Sequence, residues 1–142
     1  MNTSLLVYSV SLFILVLMTV GIAYQAFFDL QQRGSRTLGV LALAMAEWGF
    51  FYYLELVLPS YTLKVLARKI LYLGMTMSGP LWLAFALRYS GRLPWWVKNG
   101  RVFLLFIPGA IAFLFGLTNE LHHLIWSKIE IPMGGVGGLI LE

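Results

Sequence analysis

The stretch LTNELHHLIW, residues 117–126, brings together side chains that could do chemistry. It holds an amide, an acid and both histidines of a chain that is only 11% charged. Neighbouring His122 and His123 point about 100° apart on a helix, whereas good paired metal ligands stand at i and i+4. We therefore predict no metal and no cofactor. Haem or chlorophyll ligation and pH sensing are alternatives to the favoured interpretation, a polar cap that locks a turn.

Four polar or aromatic positions in this stretch have helical spacing. Asn119, His122, His123 and Trp126 recur at i, i+3, i+4 and i+7, which places them on one face of a helix. The spacing predicts a short amphipathic helix over residues 118–127 that lies on the outer membrane surface, with Trp126 at headgroup depth.

Two acids lie in the apolar run AEWGFFYYLELVLP. Glu47, Trp48, Tyr52 and Glu55 fall within roughly a 140° arc of a helix. Glu47 lies near the expected bilayer midplane, where an ionised acid costs on the order of 2.5 kcal/mol or more. It is either an acid bonded to a neighbouring helix or part of a polar pocket, an ion site or a protonation switch.

Glu55 is separated by one short turn from three cations, Lys64, Arg68 and Lys69. We predict an ion pair between Glu55 and Arg68 that aligns two antiparallel helices. A binding site for a ligand carboxylate on Arg68 and Lys69 is the alternative. The three cations are also close enough to a helix end to extend their charged groups to the membrane surface.

The composition of the chain requires a lipid environment around these residues. The 142 residues are 60% hydrophobic, with a mean hydropathy of +0.83, and so short a chain cannot bury that excess in one core. Cysteine is absent, which excludes disulfides and thiol chemistry. The net charge of +4 is carried mostly by residues beside apolar segments. It therefore indicates contacts with anionic lipids and not with nucleic acid.

The apolar segments predict an all-α integral membrane protein with four transmembrane helices. They cover about residues 4–28, 37–58, 61–89 and 101–117 of a single membrane domain, residues 1–142. Pro80 and Pro108 predict kinks. Residues 118–142 form an outer region whose glycine-rich end is expected to be extended.

Two further patterns have structural interpretations. Gly74, Ser78 and Gly79 are small residues at helix-packing spacing, so we predict close helix approach there. The pair Trp95-Trp96 lies in a basic linker and predicts anchoring at a headgroup boundary.

The basic residues of the short linkers predict the orientation of the chain. Arg33 and Arg36 occupy the first linker, and Arg92 and Lys98 occupy the third. Positively charged linkers stay in the cytoplasm. The N-terminus and the two-histidine stretch are therefore expected outside the cell membrane.

The order of these motifs resembles a known family over residues 37–142. It is similar to the N-terminal seven-transmembrane sensor region of membrane histidine kinases, which also precedes diguanylate cyclase outputs. The matching positions are Trp48, Tyr52-x-x-Glu55, Lys64, Lys69, Tyr72, Gly74, Pro80, Trp82, Phe85-Ala-Leu-Arg-Tyr-x-Gly-Arg92, Pro108 and Thr118-Asn119-x-Leu121-His122-x-Leu124-Ile125-Trp126.

The resemblance implies a prokaryotic, multi-pass sensor with an outside N-terminus, seven helices and an output module after the seventh. We expect this chain to be the N-terminal part of that sensor, without enzymatic activity of its own. Its partners would be the lipid bilayer and either its own later helices or another membrane subunit, in an oligomer. The alternative is a small accessory subunit of a larger membrane complex. The candidate sensing residues are Glu47, Trp48, Tyr52, Glu55, Arg68, Asn119, His122 and Trp126.

Overall fold

The computed structural model describes residues 3–29, 32–91, 101–127, 129–130 and 140–141. Its helices are α1 (Thr3–Phe28), α2 (Ser35–Val57), α3 (Tyr61–Tyr89), a 3-10 helix (Arg101–Phe106), α4 (Ile107–Leu117) and α5 (Asn119–His122). Two-residue strands β1 (Ile129–Glu130) and β2 (Ile140–Leu141) pair antiparallel. The Trp95-Trp96 linker and the glycine pairs lie outside the described residues, so their predicted roles stay predictions.

Among the described residues, three helices are long and apolar enough to cross a bilayer: Leu5–Phe28, Ser35–Val57 and Tyr61–Tyr89. The predicted class, an α-helical membrane protein, is confirmed. The start and end of α3 are those predicted, whereas α2 begins two residues early. The reason is local: Gly34 adopts φ 85° at the N-cap, and the Ser35 hydroxyl donates to the carbonyl of Ala26 at the end of α1.

The segment predicted as a fourth spanning helix is divided in two. The 3-10 helix ends at Phe106, and α4 begins at Ile107 with Pro108 in its first turn. Proline suits that place because the first amides of a helix have no partner within it. Pro108 therefore marks the start of an α-helix and not a kink within one. Pro80 lies inside α3, which continues to Tyr89.

The helices pack as a row in chain order. α2 lies between α1 and α3, and α3 also contacts α4 and the 3-10 helix. In the part of the chain that the structure describes, no Cα atom of α1 lies within 8 Å of a Cα atom of α3 or α4. The row is therefore open, and α1 and α3 stand as two walls over α2.

Glycines permit the close contacts in this row. A Cβ on Gly74 would collide with the Ala44 carbonyl oxygen and Glu47 Oε2, and one on Gly109 would stand 2.7 Å from the Thr76 carbonyl oxygen. The predicted packing role is thus confirmed for Gly74. Gly79 does not take part in this contact, because five residues turn a helix by about 140°; among the described residues nothing lies within 4 Å of a Cβ placed there, and its packing role stays a prediction.

Candidate functional site

A buried group of charges joins α2 to α3, and we call Glu55, Lys64 and Arg68 the charge cluster. Glu55 and Lys64 are fully buried. The predicted ion pair is present, with Arg68 Nη2 2.5 Å from Glu55 Oε1. Lys64 Nζ donates to the carbonyl oxygen of Glu55 at 2.8 Å. The last carbonyls of a helix have no partner within the helix, so Lys64 caps the end of α2 from α3.

This arrangement corrects the expectation that the cations reach toward the membrane surface. Lys64 is buried because the end of α2 offers it an acceptor, and the Arg68 side chain is only 15% exposed. Lys64 and Arg68 stand at i and i+4, so both point toward α2. The i, i+4 spacing of Lys64 and Arg68 can be seen in the sequence, and it could have predicted that Lys64 belongs to the charge cluster.

Lys69 points to a different neighbour. Its Nζ lies 2.7 Å from Glu120 Oε1, and the pair is partly exposed. This ion pair ties α3 to α5 across 51 residues of sequence, and sequence reasoning missed it. The signal available was topological, since Lys69 and Glu120 are both expected at the same end of the helices.

Aromatic side chains extend the cluster toward α1. The Arg68 guanidinium carbon lies 6.0 Å from the centre of the Tyr52 ring, a distance at which a cation is attracted to the ring face. Tyr52 meets the ring of Tyr8 edge-on, with centroids 6.4 Å apart. Contacts around Arg68 and Tyr52 therefore involve all three long helices.

The segment after α4 folds around a buried asparagine. Asn119 is 1% exposed. Its Nδ2 donates to the Trp126 carbonyl oxygen at 2.8 Å, while Oδ1 accepts from the backbone N–H of Ile125 at 2.9 Å and of Trp126 at 3.3 Å. These bonds draw the chain back toward α3. Trp126 is 4% exposed and packs on the Tyr72 ring with centroids 5.2 Å apart.

The predicted single helix over residues 118–127 is therefore wrong, while the depth of Trp126 relative to the headgroups stays a prediction. The helix ends at His122, and His123 adopts a left-handed conformation with φ 49°. The physical reason is that the Asn119 side chain binds backbone groups that a continuing helix would need.

His122 takes part in the same turn. Its Nδ1 accepts from the Leu124 backbone N–H at 3.1 Å, and its Nε2 lies 3.1 Å from Thr118 Oγ1. Because Nδ1 accepts, a neutral ring carries its proton on Nε2 and donates it to that hydroxyl. Across the described ranges, no three His, Asp or Glu side chains come together as metal ligands would.

Glu47 lies apart from the charge cluster. Eight residues separate it from Glu55 along α2, about 12 Å at 1.5 Å per residue. Its carboxyl group fits the notch left by Gly74. Both carboxyl oxygens are buried, and the carboxyl group interacts with the backbone of Gly74 on α3. A hydrogen bond from a side chain of a neighbouring helix is not observed among the described residues.

An apolar groove lies between the walls formed by α1 and α3, with α2 as its floor. Its volume is about 680 Å³, and it is lined by Leu15, Val16, Trp48, Tyr52, Arg68, Leu71 and their neighbours. Of the described residues that line it, Arg68 alone is charged. The other two members of the charge cluster, Glu55 and Lys64, do not line the groove. Three of the predicted site residues, Trp48, Tyr52 and Arg68, therefore face one cavity.

The comparisons with known proteins agree with the motif order. A family model described as the N-terminal 7TM region of histidine kinase matches residues 11–139. No curated protein and no solved structure matches the chain. The matched range contains the charge cluster, the groove and the Asn119 turn. The chain therefore belongs to the family of N-terminal seven-transmembrane regions of histidine kinases.

Proposed function

We propose that this chain is the membrane-embedded sensory input domain of a histidine-kinase-type receptor, and that it passes a stimulus to a cytoplasmic output module. The family match over residues 11–139 carries this proposal. Catalysis would then belong to the output module, and the task of these helices would be to change their arrangement when a stimulus arrives.

The contacts of α3 support a route for that change. Arg68 binds Glu55 on α2, Lys69 binds Glu120 in α5, and Tyr72 packs on Trp126. Ionisable groups within transmembrane helices are costly and often functional. A stimulus that alters the turn or the groove would act on α3 first, and a shift of α3 against α2 would carry the signal along the helices.

The proposed orientation places the N-terminus and the Asn119 turn outside a prokaryotic cell membrane. Lys64, Arg68 and Lys69 lie at the outer end of α3 and would count against this orientation. Lys64 and Arg68 belong to the charge cluster and Lys69 pairs with Glu120, so these three cations do not report the side of the membrane. Arg33 and Arg36, near the connection between α1 and α2, then decide the orientation among the described residues. They place that connection in the cytoplasm, where anionic lipids would contact them.

The orientation can be measured because the chain has no cysteine. In intact cells, a membrane-impermeant maleimide is expected to label Ser60→Cys and not Gln32→Cys, both of which replace exposed residues. Permeabilised cells should label both variants and serve as the control. Labelling of Gln32→Cys alone in intact cells would reverse the orientation.

The proposal includes a fourth span. A 3-10 helix of six residues followed by eleven α-helical residues is about 29 Å long at about 2.0 and 1.5 Å per residue. That is close to the roughly 30 Å of a hydrocarbon core. The exposed faces of the row would be covered by later helices or by another membrane subunit.

The decisive test is to isolate the native polypeptide from its own membrane through a tag at the N-terminus. We expect a polypeptide longer than this chain that incorporates phosphate from ATP on histidine. A polypeptide of 16.0 kDa without this activity, bound in fixed stoichiometry to a larger complex, would contradict the proposal. That result would establish the accessory-subunit alternative.

A further inference from the structure

We infer that the groove between α1 and α3 binds a single-chain anionic amphiphile, with its carboxylate at Arg68 and its apolar chain along α1 and α3. That this ligand is the stimulus rests on the proposed function. The binding itself is a property of the groove, and it can be measured without any kinase activity.

The size and lining of the groove fit such a ligand. Its volume of about 680 Å³ lies within the roughly 300–1,000 Å³ of small-molecule sites. Each long helix contributes an eight-residue stretch, for example Arg68–Met75 of α3, so the groove extends about 10 Å along the helices. Apolar side chains line most of this length, with the cation Arg68 beside Tyr52 at one end and Thr19 at the other.

The electrostatics favour an anion over a neutral lipid. The charge cluster holds two cations and one carboxylate, so its formal net charge is positive. Arg68 lines the groove, whereas Glu55 is fully buried and does not line it. Arg68 keeps its ion pair to Glu55 through Nη2, and the inferred carboxylate would interact with the guanidinium from the groove side.

Among the described residues, the side of the groove away from α2 is uncovered. Leu15 on one wall and Met75 on the other are 55% and 45% exposed, and Trp48 on the floor is 38% exposed. An amphiphile dissolved in the bilayer could enter sideways between the walls. The tilt of α1 against α3 would then depend on whether the chain of the ligand is present, which connects binding to the helix arrangement.

The experiment is photolabelling of the native full-length polypeptide in membrane vesicles. The probe is a fatty acid with a diazirine in its alkyl chain, and the matching fatty alcohol is the uncharged control. We expect saturable labelling at residues 12–19, 45–52 and 68–75, displaced by unlabelled fatty acid and at least tenfold weaker with the alcohol. Labelling spread evenly around α1, or equal labelling by acid and alcohol, would overturn the inference.

Variants separate the groove from the rest of the helix surface. Leu15→Trp fills the groove and is expected to reduce labelling roughly tenfold, because extra volume excludes the chain of the ligand. Leu17→Trp makes the same change at an equally exposed position of α1 outside the groove, and labelling should persist. The double variant Glu55→Gln/Arg68→Gln removes both partners of the ion pair and should abolish the preference for acid over alcohol.

Other occupants would give different results. Displacement of the probe by phosphatidylglycerol as readily as by fatty acid would assign the groove to a membrane phospholipid and overturn the single-chain proposal. Absence of labelling in the groove of the native polypeptide would mean that another helix fills it, which also overturns the proposal. Neither result would depend on whether the polypeptide phosphorylates itself.

Discussion

Changing Glu55 to glutamine is expected to lower the free energy of unfolding by about 3–5 kcal/mol, the largest effect of any single substitution considered for this protein. The side chain of Glu55 is fully buried, with Arg68 Nη2 2.5 Å from its Oε1 and Lys64 bound to its carbonyl oxygen. Glutamine has nearly the same shape but no charge. Arg68 and Lys64 would then stay buried beside each other without a compensating carboxylate.

Thermal unfolding of the purified chain in detergent, followed by circular dichroism, measures this loss. Glu120→Gln is the matched control, since it makes the same chemical change at the Lys69 ion pair. That pair is partly exposed, so the loss should stay within about 1 kcal/mol. Equal losses in the two variants would show that burial does not distinguish the two ion pairs and would contradict the prediction.

The second large effect is expected at Gly74. Replacing it by alanine should cost about 1–3 kcal/mol, because one added carbon must displace groups that have little freedom. The Cβ would collide with the carbonyl oxygen of Ala44, which belongs to the backbone of α2, and with Glu47 Oε2. Relief requires α2 and α3 to separate, which also disturbs the charge cluster two turns away.

Gly21→Ala in α1 provides the control. Among the described residues, nothing lies within 4 Å of the position that its Cβ would take. Alanine is also the better helix former, so this variant should unfold at the same temperature or slightly above. A chain that tolerates Gly74→Ala as well as Gly21→Ala would refute the close approach of α2 and α3.

The long helices could be predicted from the sequence because their length and apolar character are set locally. The bounds of α3 were predicted without error, and the Glu55–Arg68 pair followed from the short turn between α2 and α3. The early start of α2 was missed, since it depends on one glycine with positive φ. Helical spacing alone could not give the structure of the segment after α4.

The errors have a common physical origin, because each depends on a partner from another element. Lys64 was expected near the membrane surface, but its ammonium group donates to the Glu55 backbone carbonyl at the end of α2, which keeps it inside the protein. Residues 118–127 were expected to form one helix, but the Asn119 side chain ends it at His122 and brings Trp126 onto the Tyr72 ring. Trp48, Tyr52 and Arg68 were predicted as sensing residues, but the groove that they share could not be derived, since it exists only where α1 and α3 stand apart on α2.

The open row of helices has a consequence for how the protein is made. Each long helix packs on the helix that precedes it in the chain, so most contacts are local in sequence, and such topologies assemble quickly. Every new helix would find its partner already in the membrane as it leaves the ribosome. The contacts of Lys69 with Glu120 and of Tyr72 with Trp126 would form later than those among the three long helices, after translation has passed residue 126.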